Sequence, residues 1–307
     1  MTETPITFGP QSGLFGVLSL PPTGTPVACA YLMLNAGVVP HMGPHRMNVK
    51  VARALASAGE ASLRFDLSGH GDSEHAQTSA GFVEQAASDI QAAMDCLQSR
   101  YGISKFALIG VCSGAVSAFE AALRDPRVIA VLMFDGYWYA SRWSTLARDW
   151  KRFRAITWCQ AVSAFVRRMT QTVVRPKHAT YEGLFSGKKA PFQLPQKAFS
   201  NAIEALVKRK VSIFILYGGS IIEQYSYANQ FRHVFGRKAP FDQVRCDFRP
   251  EIDHIFITPV SQRAMIETVL AWRRDVHLAA TNSPLGEIDD SPSRSGRPSH
   301  FTLAGGS

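Results

Sequence analysis

The sequence predicts an α/β fold, with a mostly parallel central sheet covered by helices on both faces. Three observations predict it. Apolar runs of strand length alternate along most of the chain with segments of helical period. Several of these runs are continuously apolar, as in strands buried on both faces. And 307 residues, 46% of them hydrophobic, can bury the core of one large α/β domain carrying an insertion.

The elements follow in order. Residues 27–36 (VACAYLMLNA) and 61–66 (ASLRFD) read as buried strands. Between them Met47, Val51 and Leu55 recur every fourth residue until Gly59, a helix closed by its C-terminal glycine. From Phe82 to Tyr101, Phe82, Ala86, Ile90, Ala93, Met94 and Leu97 share one helical face, and Gly102 and the strand KFALIGV follow. A helix over 113–124 and a strand over 128–135 (VIAVLMFD) come next, then a long intervening segment. The pattern resumes with a strand at 211–217 (VSIFILY), a helix at 222–235, a strand near 242–249 and a helix at 261–275.

Residues 139–210 interrupt the alternation and are expected to form a cap inserted into a core made of 1–138 and 211–280. Trp138, Trp143, Trp150 and Trp158 crowd around its start. Trp143, Leu146, Trp150 and Phe153 recur at helical spacing, giving a helix with one aromatic and one basic face. The net charge of +9 is concentrated here, with fifteen Lys or Arg against three acids, so the rest of the chain carries about −3. Basicity confined to one insertion argues against nucleic acid as the partner. Packing of the aromatic face onto the main domain is the simpler reading, and membrane-surface binding the minor one.

Residues 281–307, rich in Ser, Pro and Gly and without period, are expected to be disordered. No run reaches the ~18–20 apolar residues of a membrane span. The start, MTETPITFGP, has no basic or apolar signal region, so a cytoplasmic location is expected. The five cysteines, at 29, 96, 112, 159 and 246, are scattered without a CxxC pair and read as reduced thiols. No metal-ligand set, GxGxxG or GxxxxGK[ST] is present, and neither metal nor cofactor is expected.

The chemistry centres on Gly110-Val111-Cys112-Ser113-Gly114, between a buried strand and a helix. Such a pentapeptide forms a sharp turn that holds its central side chain above the sheet, with small residues where bulk would clash. Cys112 is central. Ser113 follows, at the position whose backbone N–H serves an oxyanion hole, and its side chain is available to cap the helix.

Three further segments, LNAGVVPH (34–41), FDLSGHGDSE (65–74) and EIDHIF (251–256), stand in the order expected of the oxyanion loop, the loop after the fourth strand and the histidine loop. On these residues the chain resembles the α/β-hydrolase superfamily over about residues 10–277. The set LNAG, GPHR, RFDLSGHGDSE, GxCSGA and DGYWY resembles a bacterial group of serine-aminopeptidase-like hydrolases found near the exosortase-associated hydrolases. The resemblance implies Cys112 as nucleophile, His254 as base, and the backbone N–H groups of Gly37 and Ser113 as oxyanion donors. The imidazole is needed because a free thiol of pKa about 8.5 is only a few per cent thiolate at neutral pH. The helix starting at Ser113 adds its positive dipole end beneath the sulfur.

The third member departs from the family pattern. The resemblance implies an acid just after the strand ending at Tyr217, in a turn like YGGSD, but here YGGSIIE puts Ile221 in that place. Two carboxylates can substitute: Glu223, two residues on, which is slightly favoured, and Asp135 at the end of the preceding strand. Each has a purely structural reading, as a first-turn helix carboxylate and as a loop anchor. Asp253, the direct neighbour of His254, is poorly placed to orient that ring and reads as structural. Cysteine tolerates a weak acid because thiolate and imidazolium stabilise each other.

For substrate, Arg46 in GPHR could hold a carboxylate or phosphate, or equally make a salt bridge at a helix start. Trp138 and the cap would supply an apolar acyl pocket. His41 and His45 flank the oxyanion loop, where substrate contact and solvation are both open. The expected function is a cysteine-dependent acyl hydrolase acting on an ester or thioester. The alternatives are an acyltransferase to an amine, hydroxyl or thiol acceptor, and a binding protein that has lost catalysis. The basic cap would attract an acidic carrier of the acyl group, coenzyme A or an acyl carrier protein.

Overall fold

Eight strands pair into one sheet in the order β1-β2-β4-β3-β5-β6-β7-β8. They are β1 (Thr2–Phe8), β2 (Leu14–Leu20), β3 (Ala30–Met33), β4 (Ala61–Phe65), β5 (Phe106–Val111), β6 (Val128–Phe134), β7 (Ser212–Gly218) and β8 (Arg245–Arg249). The computed structural model describes residues 1–77, 80–144, 193–222 and 224–282. The six strands from β4 to β8 run parallel. The hairpin β1–β2 adds antiparallel pairing at one edge. Sequence reading starts its strands at residue 27 and misses this hairpin. β1 is half exposed, with the burial pattern of an edge strand, and lacks the continuous apolar run that marks β5 and β6.

The described helices are α1 (Met47–Ser57), α2 (Phe82–Tyr101), α3 (Ser113–Arg124), α4 (Gln196–Lys208), α5 (Gln230–Phe235) and α6 (Pro259–Asn282). They divide the core into two layers. Leu32, Leu34 and Leu108 face one layer with Phe119 of α3, Ile90 of α2 and Phe199 of α4. Tyr31, Met33 and Ile109 face the other, with Leu55 of α1 and Trp272 of α6. Side chains of one strand point alternately to opposite faces, so β3 and β5 contribute to both layers. Each fully buried Leu or Phe contributes roughly 1.5–3 kcal/mol through its removal from water.

Of the expected cap, residues 145–192 lie outside the described residues. Residues 196–208 form α4, which buries Phe199, Ile203 and Leu206 against the main core as the crossover between β6 and β7. The helix expected over 222–235 is shorter: a 3₁₀ turn covers Gly219–Ile221 and regular helix begins at Gln230. α6 runs on to Asn282, past the expected end at 275, because Val276, Ala279 and Ala280 continue its buried face. The remainder of the expected tail, 283–307, lies outside the described residues. Among the described residues no helix is long and apolar enough to cross a membrane.

Candidate active site

The strand order reverses at β3, with β4 on one side and β5 on the other. A crevice opens at the carboxyl ends of strands around such a switch point. Around it gather the loop after β3, the turn between β5 and α3, and the ends of β6 and β7.

Cys112 occupies the turn between β5 and α3. Its backbone has φ 56° and ψ −118°, a strained conformation for a residue with a Cβ. The turn is possible because a Cβ on Gly110 would collide with the backbone of Gly114, and one on Gly114 with the carbonyl of Asn35. Both are contacts only glycine permits. Two backbone bonds fix the turn, Cys112 N–H to the Phe134 carbonyl at 2.9 Å and Ala115 N–H to the Cys112 carbonyl at 3.1 Å. The thiol is partly exposed.

Strand register then decides what stands beside Cys112. Val111 pairs with Phe134, so the residues after them, Cys112 and Asp135, emerge together at the carboxyl edge. Asp135 also has positive φ, 51°. Its N–H bonds the Leu216 carbonyl at 3.0 Å, and its Oδ1 accepts from Gly218 N–H at 2.8 Å. The other oxygen, Oδ2, meets His254 Nδ1 at 2.8 Å. The carboxylate is fully buried, while the imidazole keeps 18% of its surface exposed.

His254 is held from three further sides. Its N–H donates to Ser220 Oγ at 2.9 Å, and its ring stacks on Phe134 with centroids 6.2 Å apart. A side-chain hydrogen bond also joins Cys112 to the imidazole. Burial of the ring disfavours its charge, but the hydrogen bonds and charges of Asp135 and Cys112 outweigh burial and raise the pKa of His254 to about 10. A buried carboxylate, an imidazole and a thiol thus form one hydrogen-bonded chain. Such a chain can carry a proton between sulfur and a leaving group while the carboxylate fixes the ring.

The other expected site residues fall into two groups. Gly37 and Ser113 meet directly: Gly37 N–H donates to Ser113 Oγ at 2.8 Å. The Ser113 side chain therefore does not cap α3, whose N-cap is Cys112 and which has no side-chain cap bond. Arg46 and Trp138 make other contacts. Arg46 is exposed in a left-handed turn before α1, and its charge acts on Glu3 and Arg64, towards the β1–β4 side of the sheet. Trp138 is half-buried against the main core, with its carbonyl accepting from Gln193 Nε2. Glu223 lies outside the described residues.

Sequence reasoning overlooks the ties that aim the Gly37 loop. Asp66, fully buried at the end of β4, accepts from Asn35 Nδ2 at 2.8 Å, from His41 N–H at 2.6 Å and from Asp72 N–H at 3.1 Å. It also pairs with His41 Nδ1 at 2.8 Å. Burial opposes ionisation of Asp66, yet the hydrogen bonds from His41 and Asn35 hold its carboxyl below the usual range. His41 is buried and bound to Asp66 instead of being solvated. His41, Asp66 and Asp72 bring potential ligand atoms within 4.8 Å of one another. With four partners already on the Asp66 oxygens, the cluster is a loop clamp. Ser220 was likewise legible only as part of YGGS, and Asp253 proves structural, accepting from Ile255 and Ile257 N–H.

Known proteins bear on this geometry. No curated protein sequence matches the chain. Among solved structures, an esterase of Pyrococcus furiosus aligns with a TM-score of 0.56 at 16% identity, covering 89% of this chain and 91% of its own. A thioesterase domain from the curacin biosynthetic pathway gives 0.53 at 13%, covering 88% and 100%. An esterase domain from Rhodothermus marinus gives 0.51 at 17%, covering 89% and 98%. At such identities these likenesses speak for the fold. The family model described as serine aminopeptidase, S33, matches residues 28–181, half of the chain, from before β3 through the Cys112 turn and past Asp135. With its mostly parallel eight-stranded sheet and its strand-turn-helix elbow, the protein belongs to the serine aminopeptidase S33 family of α/β-hydrolases.

Proposed function

We propose that the protein is a cysteine-dependent acyl hydrolase that cleaves an ester or thioester through an acyl-Cys112 intermediate. The observation that carries this reading is the chain Asp135–His254–Cys112, in which Asp135 Oδ2 meets His254 Nδ1 at 2.8 Å and Cys112 also hydrogen-bonds the imidazole. Asp135 is then the orienting acid. With Nδ1 committed to Asp135, Nε2 is the nitrogen that exchanges a proton with Sγ. The esterase and thioesterase descriptions of two structural neighbours are compatible with this substrate class.

In the first half-reaction Sγ bonds the substrate carbonyl carbon while its proton resides on Nε2, and the carbonyl π pair moves onto oxygen. The tetrahedral intermediate collapses, the bond to the leaving group breaks, and that group takes the proton from Nε2. Water then attacks the thioester carbon, giving its proton to Nε2, and the acid departs as Sγ is restored. A histidine whose pKa is raised to about 10 holds its proton at neutral pH, as leaving-group protonation requires.

The test is intact-mass measurement after incubation with short and medium acyl thioesters. A mass increase of one acyl group in the wild type, absent in Cys112→Ala, is expected. An adduct that persists in Cys112→Ala overturns the reading. Decay of the adduct in water, compared with decay in the presence of amine or thiol acceptors, distinguishes hydrolysis from acyl transfer.

A further inference from the structure

We propose that the Ser113 hydroxyl itself, held by Gly37 N–H, is an oxyanion donor, so that Ser113 supplies both a main-chain and a side-chain hydrogen bond to the substrate oxygen. The inference rests on the acyl-Cys112 reading and deepens it. Gly37 N–H, the donor the family pattern points to, is occupied: Ser113 Oγ lies 2.8 Å from it, one hydrogen-bond length along its N–H. That is the position a substrate oxyanion would need in order to use the same N–H directly.

The hydroxyl has one proton and accepts through its lone pairs. One lone pair takes Gly37 N–H, and among the described residues no protein acceptor takes the proton. A hydroxyl that accepts from a backbone N–H is polarised towards donating its own proton more strongly. The Ser113 main-chain N–H lies in the first turn of α3, where no intrahelical carbonyl is available to it. Both donors therefore belong to the residue next to the sulfur. Gly37 becomes a positioning residue that acts through Ser113. Its own placement follows from the Asp66 clamp: Asn35 and His41 bracket the Gly37 turn in sequence, and both are tied to Asp66.

When Sγ attacks the carbonyl carbon, the developing negative charge on oxygen meets Ser113 O–H and Ser113 N–H, and no proton is transferred to it. Charge-directed donors of this kind act on the transition state more than on the bound substrate. Ser113→Ala should therefore lower kcat by about 10²-fold on 4-nitrophenyl esters or acyl thioesters and leave KM within about twofold. Ser113→Thr, which keeps the hydroxyl, should recover most of that loss. An acyl trifluoromethyl ketone, whose adduct with Sγ bears a tetrahedral oxyanion, should bind Ser113→Ala more weakly by a similar factor.

An unchanged or increased kcat in Ser113→Ala overturns the proposal, because Gly37 N–H freed of the hydroxyl would then be the direct donor and Ser113 a plug. A loss that Ser113→Thr does not recover, with unchanged affinity for the ketone, overturns it too. The underlying reading fails differently. If Cys112→Ala still takes up the acyl group, or if the wild type takes it up from neither probe, the nucleophile assignment falls whatever Ser113 does.

Discussion

The carboxyl end of β6 and the turn after β7 lie against each other over one imidazole, and they divide its support in an unusual way. Asp135, ending β6, carries the carboxylate that meets His254 Nδ1. The turn after β7 carries Ser220, which accepts the His254 backbone N–H, and Ile221, whose side chain is buried in the main core. In the family pattern the acid belongs to the second location. Here that turn holds the histidine loop by its backbone and packs the core, while the first location addresses the ring. An imidazole fixes only the direction from which Nδ1 must be met. Either strand end can supply the oxygen, provided the loop bearing the ring is anchored by the other.

Five substitutions sharpen or break this comparison. The largest effect is expected from Cys112→Ala, which removes the proposed nucleophile and should abolish acyl uptake and turnover; residual turnover within about tenfold of the wild type would break the scheme. Asp135→Asn should follow, lowering kcat by about 10²-fold or more, because an amide cannot hold the ring in the same tautomer or stabilise its charge. Glu223→Gln, measured alongside, tests the division directly, since the larger loss identifies the acid. Ile221→Asp, which restores the family's residue type, should fail to rescue Asp135→Asn. It should also cost about 2–4 kcal/mol in urea unfolding, because it puts a carboxyl among buried apolar side chains. Ser220→Ala should have the smallest effect, a few-fold fall in kcat with the acyl adduct still formed, since it removes one backbone anchor and about 1 kcal/mol of hydrogen bonding.

The raised pKa of His254 adds a pH dependence to the same comparison. Its folded-state value, about 10, lies above its ordinary 6.5. The folded state therefore binds the proton more tightly than the unfolded chain, and the pair stabilises the fold fully below pH 6.5. That stabilisation is lost as pH rises through about 10. The stability difference between the wild type and Asp135→Asn should be greatest below pH 6.5 and should shrink towards pH 10 in denaturant titrations. Turnover of poor leaving groups should fall over the same upper limit, as Nε2 loses the proton it delivers.

The elbow, the parallel strands and the histidine loop were legible because each is local. Cys112 sits between glycines that a tight turn demands, and β5 and β6 are unbroken apolar runs bounded by breakers. The hairpin β1–β2 was not legible, since its half-exposed edge strand lacks such a run. Helix α4 was hidden for another reason: its basic residues group it by composition with the insertion, whereas Phe199, Ile203 and Leu206 dock on the core. The clamp on Asp66 joins residues as far apart as Asn35 and Asp72, and no spacing rule announces it.

By itself the sequence marked out candidate reactive side chains and where the chain turns, because both readings depend on residue type and on near neighbours. Only the tertiary structure showed that Asp135 meets His254 Nδ1 and that Gly37 N–H is bound to Ser113 Oγ. The physical reason is strand register. Pairing of Val111 with Phe134 brings Asp135 beside Cys112 across twenty-two residues of chain, and a hydrogen bond between Gly37 and Ser113 closes a separation of 76.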